Sequence, residues 1–180
     1  MVTRVRFVAG DAGVWTIDEI RAVIGEPLPE APRLARCEGD EPVPERGRWT
    51  LTGVRSHDRY VTRTEKTRLV AASPELDRPT ARRGVLIPIR KSPAWWALTQ
   101  DERRAIFEEQ SHHIAIGLEY VPAVARRLYH SRDLGEPWDF LTWFDFAPED
   151  TAAFDALLGR LRASAEWHYV EREVEIRVSR

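Results

Sequence analysis

An α+β fold is expected, and three stretches of the 180-residue chain carry that expectation. At the C-terminal end, "WHYVEREVEIRVSR" (167–180) alternates strictly. His168, Val170, Val174, Ile176 and Val178 fall on one face and Tyr169, Glu171, Glu173, Glu175 and Arg177 on the other, the pattern of a half-buried strand. Before it, "APEDTAAFDALLGRLRAS" opens with Pro148, puts Glu149 and Asp150 in its first turn and places Arg160 and Arg162 near its end. Phe154, Leu157, Leu158 and Leu161 make its apolar stripe, so it reads as a helix with signals at both ends. Earlier, "AVARRLYHSR" and "WDFLTWFDF" are strand-like runs joined by "DLGEP", which reads as a hairpin.

The remaining elements follow from these. "GVLIPIRKS" reads as a strand, with Pro88 marking an edge or a bend. "TQDERRAIFEEQSHHIAIGLEY" reads as one helix starting at Thr99, with Glu102 completing a capping box and Pro122 ending it. From residue 84 the order is strand, helix, strand, strand, helix, strand, which is the split βαβ order of a ferredoxin-like unit. In the first half, "TRVRFVAGD" and "GRWTLTGVRS" read as strands and "VTRTEKTRLVAAS" as a helix, while the Pro- and Glu-rich 26–46 reads as a loop. The expected architecture is two ferredoxin-like units side by side: a shortened one over 1–72, a connector at 73–83 and a full one over 84–180, making one structural domain overall.

Composition excludes several function classes. At 43% hydrophobic and 31% charged the chain is ordinary for a folded domain. A net charge of -2 and a pI near 6.2 give no general pull toward nucleic acid or an anionic membrane. No apolar run reaches the length of a membrane span, and the N-terminus has no signal-peptide core, so the cytoplasm is the expected compartment. Cys37 is the single cysteine, which rules out an intrachain disulfide, a cysteine zinc site and a C-x-x-C-H attachment. As a thiolate ligand it would sit in a charged, Pro-rich loop, a poor place for one. Met1 is the single methionine, so a methionine axial ligand is not expected.

The segment "SHHIAIGLEYVPAVARRLYH" (111–130) carries the candidate chemistry. On an unbroken helix His113 shares a face with Ile106, Gln110, Ile116 and Gly117, whereas His112 lies with Glu108, Glu109 and Glu119. His113 is therefore expected to point inward, and Gly117 one turn on leaves room beside it. A plain core histidine fits the same spacing. On the strand after Pro122, Val124, Arg126, Leu128 and His130 share one face and Ala125, Arg127, Tyr129 and Ser131 the other. One arginine must then sit among apolar neighbours and needs an anion, from a ligand or from a carboxylate such as Glu171, Glu173 or Asp145. An inward imidazole opposite an inward guanidinium, with tryptophans nearby, is the composition of a heme pocket.

Three motifs together resemble the chlorite dismutase family, specifically its short, dimeric class: "RKSPAWWALTQDERRAIFEEQSHHIAIGLEY", "RRLYHSRDLGEPWDFLTWFDFAPED" and "LRASAEWHYVEREVEIR". "DRYVTRTEK" adds a less distinct match in the first half. The resemblance implies a non-covalent heme b whose iron is held by His113, with Glu166 hydrogen-bonded to the ligand's other ring nitrogen and Arg126 as the distal cation. It further implies that Tyr60, Lys91, Trp95, Trp96 and Leu128 line the heme or its propionates. Where the family usually has Thr after the ligand histidine this chain has Ile114, which is expected to point away from iron. The implied reaction takes an oxygen atom from chlorite, retains hypochlorite, and recombines the two into chloride and dioxygen. Related coproheme decarboxylases generally lack the distal arginine, which this chain keeps. A peroxidase-like relative, a heme carrier and a non-catalytic dimeric scaffold are the other readings. A homodimer is expected, both from the resemblance and because "FLTWFDF" should leave an apolar surface to cover.

Overall fold

Eight strands close into one antiparallel barrel in the computed structural model, which describes residues 3–55 and 59–180. Met1, Ser56 and Asp58, which the sequence reading also touched, lie outside the described residues. The first half contributes β1 (Arg4–Gly10), β2 (Trp15–Ile24), β3 (Arg33–Glu38), β4 (Trp49–Val54) and α1 (Arg63–Ala72). The second contributes β5 (Arg83–Lys91), α2 (Pro93–Ala97), α3 (Gln100–Arg104), a π-helical turn (Ala105–Gln110), α4 (His113–Tyr120), β6 (Val124–His130), β7 (Phe140–Phe146), α5 (Thr151–Arg162) and β8 (Val170–Ser179).

Around the barrel the order is β1-β3-β2-β8-β5-β7-β6-β4. Read as two halves, it is β4-β1-β3-β2 beside β8-β5-β7-β6, the same fourth-first-third-second order twice. Each half is thus a ferredoxin-like sheet. The first is shortened because segments 11–14 and 39–48 replace the crossover helices that the second half builds from α2–α4 and α5. β2 and β8 join the halves on one side through seven residue pairs, from Thr16↔Ser179 to Ile24↔Glu173. On the other side, among the described residues, the pair Val54↔His130 closes the ring.

The barrel interior is filled by rings. Phe7 lies 5.8 Å from both Tyr129 and Trp143, and Trp15 lies 5.3 Å from Trp143. Gly84 is required by this packing, because a Cβ there would stand 2.8 Å from the Trp143 ring. Helices cover only the outside of the second sheet. The four residues of the α5 stripe, Phe154, Leu157, Leu158 and Leu161, are all buried against the outer face of β5 and β7.

Several expectations are corrected. β2 is absent from the sequence reading, and β3 lies inside the segment read as a loop. Both carry Arg and Glu at positions that a one-sided strand would leave apolar, so alternation is weak. Pro88 is not at an edge: β5 pairs on both sides and the closed barrel has no edge. β8 begins at Val170, after a 3-10 turn over Ala165–Tyr169, and it is not half-buried. Glu173 and Glu175 are fully buried because Arg162 reaches both at 2.6 Å and Arg177 reaches Glu175 at 2.6 Å. "FLTWFDF" leaves no open apolar face either, since β7 is buried on both sides within the chain. The expected long helix from Thr99 does start with the Thr99–Glu102 capping box, but it is interrupted. Ser111 N–H bonds back five residues to Ile106, and His112 turns left-handed at φ 53°.

Candidate active site

The interruption sets the position of His113. The extra residue of the π turn and the reversal at His112 restart the helix at His113. Glu108 caps the restarted helix, accepting from Ile114 N–H at 2.6 Å and Ala115 N–H at 3.3 Å. His113 thereby packs its ring on Phe107, 4.3 Å between centroids and 22° between planes. Phe107 lies six residues back, about 240° around a regular helix, so periodicity alone gives no signal for this contact. His112 is exposed and His113 mostly shielded, as expected, although Gln110 of the expected inward face is exposed.

The His113 Nδ1 lies 2.7 Å from one oxygen of Glu166, and the Lys91 ammonium donates to the other at 2.7 Å. Ser111 Oγ accepts the Glu166 backbone N–H at 2.9 Å. Burial pushes the Glu166 carboxyl up, but attraction from His113 and Lys91 and hydrogen bonds from both outweigh it and hold it at about 2. Lys91 also sits 4.5 Å above the Trp95 ring. Its ammonium is committed to Glu166, so it supports the imidazole's partner. When the imidazole is neutral, an Nδ1–H directed at the carboxylate leaves the ring's lone pair on Nε2.

His113 lines a cavity of about 380 Å³ between the outer face of the second sheet and the helices. Ile87, Ile89, Thr142 and Phe144 form the sheet wall, with Gly117 of α4 and Leu158 of α5 opposing them. A Cβ at Gly117 would meet nothing within 4 Å, so the glycine opens onto the cavity. Ile114 is also among the residues lining the cavity. Arg126 and Leu128 reach it from β6. Arg126 is exposed, not buried among apolar groups, because its strand face looks into this cavity. The arginine that sits inside the barrel is Arg127, and its partner is Glu38 at 3.4 Å, not Glu171, Glu173 or Asp145. Glu38 also accepts from Arg36 at 2.7 Å and from the Tyr129 hydroxyl.

Tyr60 and Trp95 line the cavity with rings 6.1 Å apart, edge to face. Among the described residues, neither the buried Tyr60 hydroxyl nor the Trp95 Nε1 has a hydrogen-bond partner. Trp96 is not among the lining residues. Its Nε1 donates to Asp139 at 3.2 Å and its ring packs against the Arg103 and Arg132 guanidinium groups, at 5.1 and 4.1 Å. Sequence reading missed Phe107, Ser111 and Glu108, whose roles exist only through the break in the helix.

The donor set is one anchored imidazole in an apolar cavity. Among the described residues no group of three or more His, Cys, Asp or Glu could hold an ion alone. One axial nitrogen, flat apolar walls, an open glycine and two orphaned polar groups fit a planar macrocycle that brings its own metal. Among the described residues no helix is long and apolar enough to cross a membrane.

A family model described as Chlorite dismutase matches residues 46–180. A chlorite dismutase from Ideonella dechloratans is 34% identical over 84 residues, 47% of this chain and 27% of the relative, so this match spans about a quarter of that relative's length. The crystal structure of dimeric chlorite dismutases from Nitrobacter winogradskyi superposes with a TM-score of 0.91 at 55% identity, covering 98% of this chain and 99% of that one. A mutant chlorite dismutase from Candidatus Nitrospira defluvii, 20% identical over 99% of this chain and 92% of its own, shares the fold at a TM-score of 0.69.

Proposed function

The chain belongs to the chlorite dismutase family, and from that premise we propose that it is a heme b enzyme converting chlorite to chloride and dioxygen. The observation that carries this reading is the His113–Glu166–Lys91 trio at the wall of a cavity that Arg126 also lines. Heme b, when bound, supplies an iron that exchanges one oxygen atom with the chlorine oxyanion. His113 Nε2 is the residue to hold it. Glu166 fixes the tautomer and strengthens the imidazole as a donor, and Lys91 limits that strengthening by sharing the carboxylate's charge. Tyr60 and Trp95 offer hydrogen bonds to polar edges of the group. Arg126 attracts anionic chlorite and retains hypochlorite through its fixed charge beside the apolar sheet wall. The net reaction moves oxygen and no proton, so the cavity needs no acid or base beside Arg126. Its retention favours this reading over coproheme decarboxylation. In line with the dimeric Nitrobacter structure, the working form is a homodimer; light scattering giving a monomer near 20.8 kDa would contradict that.

Hemin titration tests the ligand. The parent and His112→Ala bind hemin with a Soret band, and His113→Ala binds at least about tenfold more weakly because the single axial bond is lost. Loss of binding in His112→Ala with retention in His113→Ala would overturn the assignment.

A further inference from the structure

α1 is an unusual cover. It lies along the cavity, with Leu69 and the preceding Val61 among the lining residues, yet none of its ten residues is buried. A helix this short is marginal in water without tertiary anchoring. The Thr62–Glu65 capping box is local, so it orders the first turn without fixing its place. Arg104 of α3 ties this segment to the helices beside the site. Arg104 pairs with Glu65 in a two-pronged contact, 2.7 and 2.9 Å, and its NH1 also donates to the Tyr60 carbonyl.

Tyr60 is held at φ 62°, a left-handed conformation that a tyrosine adopts only where surroundings impose it. Its ring packs on Phe107 at 5.7 Å and on Trp95 at 6.1 Å. Arg104 immediately precedes the π turn that presents Phe107 to His113. The pair is also shielded, with Arg104 24% and Glu65 21% exposed, unlike the open ion pairs that contribute little.

We infer that Arg104 is a positioning residue: through Glu65 and the Tyr60 carbonyl it holds α1 and the Tyr60 ring over the cavity, as the closure that retains the bound cofactor. The retention part rests on the heme reading; the holding of α1 and Tyr60 does not.

The experiment uses the full chain with Arg104→Gln, Tyr60→Phe and the double variant, first without hemin and then loaded. In the hemin-free chain, hydrogen exchange over 59–72 speeds up about tenfold in Arg104→Gln while β5, β7 and β8 keep parental protection. In the loaded chain, transfer of hemin to excess apomyoglobin also speeds up about tenfold, and adding Arg104→Gln to Tyr60→Phe changes that rate less than about twofold, because both act through the placement of the Tyr60 hydroxyl. Unchanged exchange over 59–72 overturns the inference. So does faster exchange throughout the barrel, which marks a general structural role, or fully additive hemin loss in the double variant. If the parent binds no hemin, the heme reading fails, and the hemin-free exchange still decides whether Arg104 holds α1.

Discussion

Glu166 is a carboxylate where ionisation is costly, only 5% exposed. It stays charged because Lys91 and His113 each take one of its oxygens. Arg126 is the contrasting case. Its face was legible in the alternation of "VARRLYH", but its surroundings were not, since no pattern distinguishes a strand face against a core from one against a cavity. That exposure sharpens its test. Arg126→Ala should cost less than about 1 kcal/mol of stability, as for other exposed side chains. It should still lower the dioxygen yield per heme and let hypochlorite bleach the heme sooner. Arg126→Lys should restore only part, because a point charge on a flexible stem holds an oxyanion less firmly than a planar guanidinium. A melting temperature far below the parent's, or an unchanged yield before bleaching, would contradict a distal role.

Among the elements, the π turn before α4 decides most. The sequence announces the helix start through Thr99 and Glu102, and it announces the end through Pro122. Nothing in the spacing announces that His112 turns left-handed between two helical segments. Glu108, read as a solvent-facing neighbour of His112, is the cap that stabilises the restart. Glu108→Ala should cost about 1 kcal/mol, the usual loss for a helix cap. Amide exchange at Ile114 and Ala115 should rise with it; parental exchange there would remove the cap from the account. β8 carries a second test. Burial raises the Glu175 carboxyl, while hydrogen bonds and attraction from Arg162 and Arg177 outweigh it and hold it below its ordinary value. Its folded pKa therefore lies under the unfolded value of about 4.3. The stabilisation it gives is complete above that value and lost as pH falls through the folded pKa. Urea unfolding at pH 7 should show Glu175→Gln weaker by about 2 kcal/mol, from losing the charge-assisted hydrogen bonds to Arg162 and Arg177. That gap should narrow below about pH 4; curves that stay parallel down to pH 3 would refute the pairing.

At the scale of the molecule, the second half was legible because its apolar strands and its amphipathic helix stand out from the turns between them. The α5 stripe is the plainest instance. The first half was less so. β2 and β3 owe their places to pairing with β8 and β1, and long-range pairing leaves no local mark on residues such as those of "IDEIR" or "RLARCE". What the barrel achieves is to hold β5, β6 and β7 still, so that Lys91 and Arg126 reach one cavity from strands separated by the helices that bring His113. The central claim is that this cavity, loaded with heme b, breaks down chlorite with formation of an O–O bond. An oxygen electrode reads it most directly. The account predicts one dioxygen released for each chlorite consumed by the heme-loaded chain, with chloride as the other product. Chlorite consumed with no dioxygen, or chlorite left untouched by a chain that binds hemin through His113, would contradict it.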